Sequence, residues 1–213
     1  MDIYWYGQAC FKLKGKQASV IIDPFDLEFT GLKLPKDMEA NIAIKTHDHL
    51  DHSNLGAVTG DPIKIAGPGE YEISAVTVNG VSVFHDKSKG SERGLNTVYN
   101  IEIDGLNVVH LGDLGHVLEE EQVAQIGLTD ILLIPVGSIY TISAEEATQV
   151  VSQLEPKIII PMHYWIDGLK FPLDKVELFL KQMGKEGIEP ISKFSITKEK
   201  LPDEPQVVVL NKS

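Results

Sequence analysis

The sequence has little of three things: cysteine, basic residues and long apolar runs. Its single cysteine, Cys10, cannot form an internal disulfide, and its place between Ala9 and Phe11 indicates a buried thiol. The 31 acidic side chains outnumber the 19 basic ones and give a formal net charge of −12, which excludes a large basic surface for nucleic acid. No run approaches the ~18 apolar residues of a membrane span, and no signal peptide is recognisable. We therefore expect a cytoplasmic protein without extended nucleic-acid binding or membrane attachment.

Length and element order indicate the fold class. The 213 residues, 43% of them hydrophobic, suffice for one substantial core without an internal repeat, so we expect a single domain over residues 1–213. Strand-type runs alternate with helical patterns in the second half, which predicts an α/β (α+β) fold of sheets faced by helices. The predicted strands are residues 3–6, 10–13, 19–22, 41–45, 63–66, 71–84, 97–103, 106–111, 131–136, 157–161 and 207–210. The predicted helices are residues 118–126, 143–154 and 173–183, of which the second opens with a capping box.

Three connections carry further predictions. The Asn-Gly pair at residues 79–80 is a strong hairpin signal and predicts the turn of the run 71–84 at that point. Residues 26–40 contain glycine and proline and are predicted to form a loop with little regular structure. Residues 86–96 are the most polar connection and are predicted to form a rim loop. Its cations are interpreted as solvated charges: Lys87, Lys89 and Arg93.

The most informative stretch is residues 47–52, His-Asp-His-Leu-Asp-His, which follows a predicted strand. Neutral imidazole binds zinc, manganese, iron or nickel, and alternate positions in a tight loop can direct His47 and His49 at one ion. Asp51 and His52 follow immediately and can address a second ion. The alternative is a polar surface loop with incidental histidines, which the full string disfavours.

The remaining histidines also lie near strand ends. Of seven histidines, six fall at or next to the end of a predicted strand, and His116 lies in the same loop as Asp113. Imidazoles and carboxylates that converge from several strand ends are typical of a two-metal hydrolytic site with ions about 3.5–4 Å apart. Asp23 also closes a strand, either as a turn-former or as an acceptor that orients a ligand histidine.

The string 47–52 is followed along the chain by His85, by Asp113 in Leu-Gly-Asp and by His163 in Ile-Pro-Met-His-Tyr. These motifs resemble those of the metallo-β-lactamase superfamily, in the same order along the chain. The resemblance is strongest to its small bacterial and archaeal metal-dependent hydrolases, which include the L-ascorbate-6-phosphate lactonase-like proteins. It implies a four-layer αβ/βα sandwich of two mixed β-sheets flanked by helices, with the site at one edge of the sheets. The segments that carry it are the string 47–52, His85, Leu-Gly-Asp113, Trp5-Tyr-Gly, Ile22-Asp-Pro and Ile-Pro-Met-His163-Tyr.

The resemblance also implies the metal ligands. The cofactors are expected to be two divalent ions, with zinc favoured over manganese or iron. The first ion is assigned to His47, His49 and His85, the second to Asp51, His52 and His163, and Asp113 is assigned as the bridge between them.

The expected activity is hydrolysis of an ester, lactone, amide or phosphoester bond in a small-molecule substrate by a metal-bridged hydroxide. Asp51 and Asp113 provide charge compensation, and His116 is either the proton donor to the leaving group or a solvated loop residue. His110 is expected to have a supporting role, and Tyr164 and Trp165 are expected to pack rather than line the pocket.

Three other functions stay open. The first is a catalytically silent metal-binding protein with a regulatory or binding role. The second is a nuclease-type phosphodiesterase, which the acidic balance and the short segment after His163 disfavour. The third is redox chemistry at a single iron, which is expected only where the half-site of Asp51 and His52 is missing. The sequence leaves the oligomeric state open, including a homo-oligomer.

Overall fold

The structure, a computed structural model, describes residues 1–213. Thirteen strands and four α-helices follow one another along the chain, with two short 3-10 turns at Leu55–Ala57 and Lys198–Lys200. The elements are β1 (Asp2–Gly7), β2 (Cys10–Lys14), β3 (Ser19–Ile22), α1 (Leu27–Thr30), β4 (Ile42–Lys45), β5 (Ile63–Ala66), β6 (Gly69–Ile73), β7 (Val76–Phe84), β8 (Leu95–Ile103), β9 (Leu106–His110), α2 (Glu120–Ile126), β10 (Ile131–Pro135), α3 (Ala144–Leu154), β11 (Ile158–Met162), α4 (Val176–Gln182), β12 (Phe194–Ser195) and β13 (Gln206–Val207).

The strands form two mixed sheets, which confirms the predicted fold class. The first sheet has the order β12-β1-β2-β3-β4-β5, and only its β3-β4 and β4-β5 pairs are parallel. The second has the order β13-β11-β10-β9-β8-β7-β6, antiparallel from β6 to β9 and parallel from β9 onward. Consequently β7, β9 and β11 run in the same direction, and their carboxyl ends lie at one edge of the second sheet.

The alternation of apolar residues places the core between the sheets. In the first sheet Ile3, Val20 and Ile42 belong to the large shared core, whereas Ile21 and Ala43 pack in a smaller cluster on the opposite face. Successive strand residues point to opposite faces of the sheet, so neighbouring residues of one strand contribute to different hydrophobic clusters. Every residue of β10 and β11 is buried, as expected for central parallel strands covered on both sides.

The helices cover the second sheet more than the first. Helix α2 contacts β7 and β8, while α3 contacts β10 and α4. The outer face of the first sheet is covered mostly by the irregular segment around α1. This segment was predicted to be a loop with little regular structure, and its one helix is the single turn of α1. None of the helices has the length and apolar character needed to cross a membrane.

The hairpin turn predicted at Asn79-Gly80 is wrong, since both residues lie inside β7. The chain turns at Ser74 and Ala75, both in the left-handed region with φ of 51° and 62°. Gly80 pairs with Tyr99 of β8, and a Cβ at Gly80 would lie 2.9 Å from Tyr99 Cε1. This glycine therefore makes room for an aromatic ring, a long-range requirement that imitates a local turn signal.

The predicted start of α3 agrees with the structure, whereas that of α4 does not. Helix α3 begins after Ser143 with the expected capping box, in which the Ser143 side chain accepts a hydrogen bond from the Glu146 N–H. Helix α4 begins later than the predicted residue 173. The Asp174 N–H donates to Gly137 and its carbonyl accepts from the Trp165 N–H, so this backbone is bound to other loops.

Candidate metal centre

The site lies where strands from both sheets end. The string 47–52 follows β4 of the first sheet, whereas His85, Asp113 and His163 follow β7, β9 and β11 of the second. Strand directions bring these ends together, although the residues are far apart in sequence. All seven predicted ligands meet there, and every one except His49 is buried.

The potential ligand atoms form two groups. Within each group they lie within 4.8 Å of one another, close enough for all of them to address one ion. The first group, hereafter the three-histidine group, contains His47, His49 and His85. The second, hereafter the mixed group, contains Asp51, His52, Asp113 and His163.

The Asp113 carboxylate reaches toward both groups. Its Oδ2 lies 3.3 Å from His85 Nε2 and 3.9 Å from His47 Nε2. Its Oδ1 lies 3.2 Å from His52 Nε2 and 3.4 Å from His163 Nε2. One carboxylate oxygen therefore faces each group.

The donor atoms of the cluster fit divalent cations. Buried polar atoms normally have hydrogen-bond partners, yet those of this cluster point at one another and leave several atoms unpartnered. A divalent cation would satisfy such nitrogen and oxygen donors together. The unpartnered buried atoms include His47 Nε2, His52 Nε2, His163 Nε2 and Asp113 Oδ1.

Local electrostatics favour neutral imidazoles and ionised carboxylates. Burial, assisted by neighbouring histidines, lowers the pKa of His47 to about 2, and burial also lowers the pKa of His49. Burial opposes ionisation of Asp113, but His163 and His52 outweigh it and hold the pKa of this carboxyl well below its usual range. His52 differs: burial disfavours its charge, but Asp113, Asp51 and Asp23 raise its pKa. Metal ligands must be deprotonated, and the shifts at His47, His49 and Asp113 favour this state.

Hydrogen bonds behind the cluster orient two of its histidines. Asp23 Oδ2 lies 2.7 Å from His52 Nδ1, and the same carboxylate accepts from the Thr46 N–H at 2.7 Å and its hydroxyl at 2.8 Å. The Thr46 hydroxyl also contacts His47 Nδ1 at 3.0 Å. Of the two roles considered for Asp23, the acceptor that orients a histidine is therefore observed. Thr46 was not predicted, because a single threonine after a strand carries no recognisable signal.

Gln8 is a second contributor that sequence analysis did not identify. Its side-chain amide donates to Asp51 Oδ2 at 3.5 Å, and its backbone carbonyl accepts from the His163 N–H at 3.1 Å and the Trp5 indole at 2.7 Å. The side chain is fully buried. Gln8 therefore ties two members of the mixed group to the first hairpin of the chain, more than 40 residues away in sequence.

Three glycines allow loops to pass close to the ligand-bearing backbone. A Cβ at Gly112 would lie 2.3 Å from the Asn96 side chain, one at Gly115 would lie 2.2 Å from the His85 carbonyl carbon, and one at Gly137 would lie 2.1 Å from the His163 carbonyl oxygen. Backbone therefore approaches closely at Gly115, two residues after Asp113. None of these positions tolerates a side chain without movement of the backbone or of a neighbouring side chain.

The predicted proton donor, His116, lies outside the cluster. Its Nδ1 donates to the Val117 carbonyl at 2.8 Å, and its Nε2 accepts from the Phe84 N–H at 3.2 Å. Both ring nitrogens therefore contact backbone groups, which argues against a role of His116 as proton donor to a leaving group. His110 is fully buried and contacts the Ala9 carbonyl at 2.8 Å through Nε2, in agreement with a structural role.

An open pocket of about 470 Å³ lies over the cluster. The interpretation of Tyr164 and Trp165 as packing residues agrees with their absence from its walls, and Tyr164 packs against Trp5 with ring centroids 4.9 Å apart. Arg93 does line the pocket, contrary to its interpretation as a solvated charge. The lining residues are Phe29, Asp48, His49, Leu50, Asp51, His85, Arg93, Asp113, Tyr140, His163 and Phe171.

Comparison with known proteins identifies close relatives. Residues 2–163 match the protein family described as the beta-lactamase superfamily domain. A Thermotoga maritima protein, proposed to be a Zn-dependent hydrolase of the metallo-beta-lactamase superfamily, has a crystal structure with 38% sequence identity and a TM-score of 0.81 over 98% of this chain and 97% of that chain. A UPF0173 metal-dependent hydrolase of Thermoplasma volcanium is 31% identical over 77% of this chain and 83% of its own. Another from Methanocaldococcus jannaschii is 30% identical over 89% of this chain and 95% of its own.

Proposed function

Because the chain belongs to the beta-lactamase superfamily domain family, we propose that it is a metal-dependent hydrolase that uses two divalent ions. Its substrate is a small molecule with an ester, lactone, amide or phosphoester bond. Lactones stay among the candidates because the sequence also resembles the L-ascorbate-6-phosphate lactonase-like proteins. The relatives named above as metal-dependent or Zn-dependent hydrolases support the reaction class.

The position of Asp113 is the observation that carries the two-ion proposal. A single ion could use one group of ligands and would leave the other group as buried, unpartnered nitrogens. The two oxygens of Asp113 instead face one group each, at 3.3 Å from the nearest nitrogen of the three-histidine group and 3.2 Å from that of the mixed group. We therefore assign His47, His49 and His85 to one ion, Asp51, His52 and His163 to the other, and Asp113 to both.

Bound divalent ions would supply Lewis acidity, which lowers the pKa of a coordinated water and stabilises negative charge on the substrate. The chain supplies the rest. Asp51 lines the pocket while its Oδ2 faces His52 and His163, so its carboxylate can accept a hydrogen bond from the attacking water and orient it. Gln8 and Asp23 hold this group from behind, which reduces the reorganisation that the reaction requires.

Zinc is the metal we propose. A set of five imidazoles and two carboxylates is a borderline donor set that zinc accepts well. The proposed zinc dependence of the Thermotoga maritima relative supports this choice. Manganese and iron use similar nitrogen and oxygen donors, so elemental analysis of the protein as purified, before any metal is added, should quantify all three metals.

Metal stoichiometry tests the two-ion proposal without reference to activity. Wild-type protein loaded with Zn²⁺ and dialysed should retain about two equivalents by elemental analysis, and His85→Ala and His163→Ala should each retain about one. Asp113→Ala should weaken retention of both. His116→Gln is the matched control, because it alters a histidine outside the cluster, and should retain two. A single equivalent in wild type, or unchanged retention in Asp113→Ala, would contradict the proposal.

Hydrolysis is tested separately with a panel of aryl esters, lactones, amides and phosphodiesters. We expect turnover of at least one class by the zinc-loaded protein and loss of at least a hundredfold in Asp113→Ala, whose fold is verified by circular dichroism. Full metal loading with no turnover across the panel would instead favour a metal-binding protein without catalytic activity.

A further inference from the structure

We propose that the pocket over the cluster selects small molecules that carry an anionic oxygen group, a carboxylate or a phosphate, and that Arg93 binds this group. The inference rests on the proposed hydrolytic function of the same site and names the substrate class. It is carried by the charge of the pocket walls, the free donors of Arg93 and the way this side chain is held.

Arg93 is the one cation among the eleven residues that line the pocket. The same walls carry the carboxylates of Asp48, Asp51 and Asp113. The chain as a whole has a net charge of −12, so a positive group at this position is not part of a general basic surface. A single fixed cation beside a reaction centre is the usual means of orienting an anionic ligand.

The guanidinium of Arg93 has free donors. Its nearest carboxylate oxygen, Glu92 Oε2, is 3.8 Å from Nη1, beyond hydrogen-bond distance, and no other group of the chain accepts from it. Lys87 in the same loop differs, since its ammonium pairs with Glu146 at 2.6 Å. Guanidinium presents a planar pair of donors that matches a carboxylate or phosphate, so Arg93 is available for two-point binding.

The loop that carries Arg93 is organised around one carboxylate. Asp86 Oδ1 accepts from the N–H groups of Ser88 and Gly90 at 2.8 and 3.0 Å, and Oδ2 accepts from those of Glu92 and Arg93 at 3.1 and 2.8 Å. The backbone of Arg93 is thereby fixed next to His85, the residue before Asp86.

The Arg93 side chain also rests on an aromatic surface. Its guanidinium carbon lies 5.9 Å from the Tyr140 ring centroid, within range of a cation–π contact. Tyr140 packs on Phe171 with centroids 6.1 Å apart, and Phe171 packs on Phe29 at 5.6 Å. The rim is therefore an arc with a cation at one end and three rings beyond it, which suits a small molecule with an anionic end and an apolar body.

Equilibrium binding tests the proposal independently of turnover. Calorimetry on the zinc-loaded protein would compare hexanedioate and 6-(phosphooxy)hexanoate with hexanoate. All three share one carboxylate that can reach the metals, so only the second anionic group differs. We expect wild type to bind at least one of the two ligands with a second anionic group about tenfold more tightly than hexanoate, and the better of the two identifies the preferred anion.

Substitution of Arg93 decides whether this residue is responsible. Arg93→Gln should reduce the preference to within about twofold, and Arg93→Lys, which keeps the charge without the planar fork, should give an intermediate value. Lys89→Gln is the matched control, because Lys89 is an exposed cation of the same loop that does not line the pocket, and it should keep the wild-type preference. Equal binding of the three ligands by wild type, or a preference that survives in Arg93→Gln, would overturn the proposal.

The two proposals fail in different ways. The 4-nitrophenyl monoester of hexanedioic acid and 4-nitrophenyl hexanoate form a matched pair of substrates for wild type. Turnover of both at equal efficiency, with equal ligand binding, would refute the anion selection alone. A clear binding preference without turnover of any substrate would refute the hydrolytic function alone.

Discussion

Gly137→Ala is predicted to disable the mixed group without altering any ligand. The loop at Gly137 crosses directly behind His163, and the new Cβ would lie 2.1 Å from the His163 carbonyl oxygen. Ordinary contact begins near 3.4 Å, so this backbone must move by about 1 Å. The obstacle is backbone rather than a flexible side chain, and His163 already has a left-handed φ of 50°, which leaves it little freedom to adjust.

A displacement of about 1 Å far exceeds the ~0.2 Å tolerance of metal–ligand distances. We therefore expect affinity for one of the two proposed ions, that of the mixed group, to fall at least about tenfold, with the other ion retained. Overpacking should also lower the free energy of unfolding by about 1–3 kcal/mol, which corresponds to a fall in Tm of about 2–12 °C for a chain of this size.

Elemental analysis after dialysis and thermal unfolding of the metal-free protein measure the two effects separately. Gly56→Ala is the matched control, since the nearest neighbour of its new Cβ is 3.8 Å away and φ is not positive, and should leave both quantities near wild type. In Gly115→Ala the new Cβ would clash with the His85 backbone, so this substitution should lower the metal affinity of the three-histidine group instead. Retention of two ions with unchanged stability in Gly137→Ala would refute the reasoning from backbone clash.

Three further substitutions test the surroundings of the cluster. Asp23→Asn keeps one acceptor for His52 but removes the charge 2.7 Å from Nδ1, so metal affinity should fall about tenfold in a competition titration with a chelator; unchanged affinity would exclude a role in orientation. Gln8→Leu removes the 3.5 Å contact to Asp51 and should lower kcat a few-fold at unchanged KM, and a change in KM alone would argue against a positioning role. His116→Gln should keep kcat/KM within about threefold of wild type and leave the shape of its pH profile unchanged, because both ring nitrogens of His116 are bound to backbone. Loss of one limb of the pH profile would support His116 as the proton donor.

The candidate site was largely predictable because its residue types are chemically distinctive. Three histidines and two aspartates in residues 47–52 are difficult to explain by packing, and each remaining ligand follows a recognisable strand. Helix α3 was predictable for a similar reason, since the capping box at Ser143 is a local arrangement complete within four residues. Local chemistry and local hydrogen bonds leave a direct trace in sequence.

Predictions failed where a residue serves a distant neighbour. Gly80 resembles a turn residue but makes room for Tyr99 on the next strand. His116 stays a candidate proton donor by sequence, but its ring is bound to the backbone of Phe84 and Val117, which the sequence does not indicate. Gln8 and Thr46 contribute through hydrogen bonds that join separate segments, and neither residue type is distinctive by itself.

The amino-acid sequence by itself determined the inventory of candidate metal ligands, the alternation of strands and helices and the acidic character of the chain. Only the tertiary structure decided that the carboxylate of Asp113 faces both ligand groups and that Arg93, among three loop cations, reaches the pocket. The physical reason is that the identity of a candidate ligand depends on its side-chain chemistry. Whether one carboxylate can face both ligand groups, and which cation reaches the pocket, depend on distances between strand ends and loops. Those distances are set by the packing of two sheets and by glycines that admit close backbone contact, and neither has a local signature.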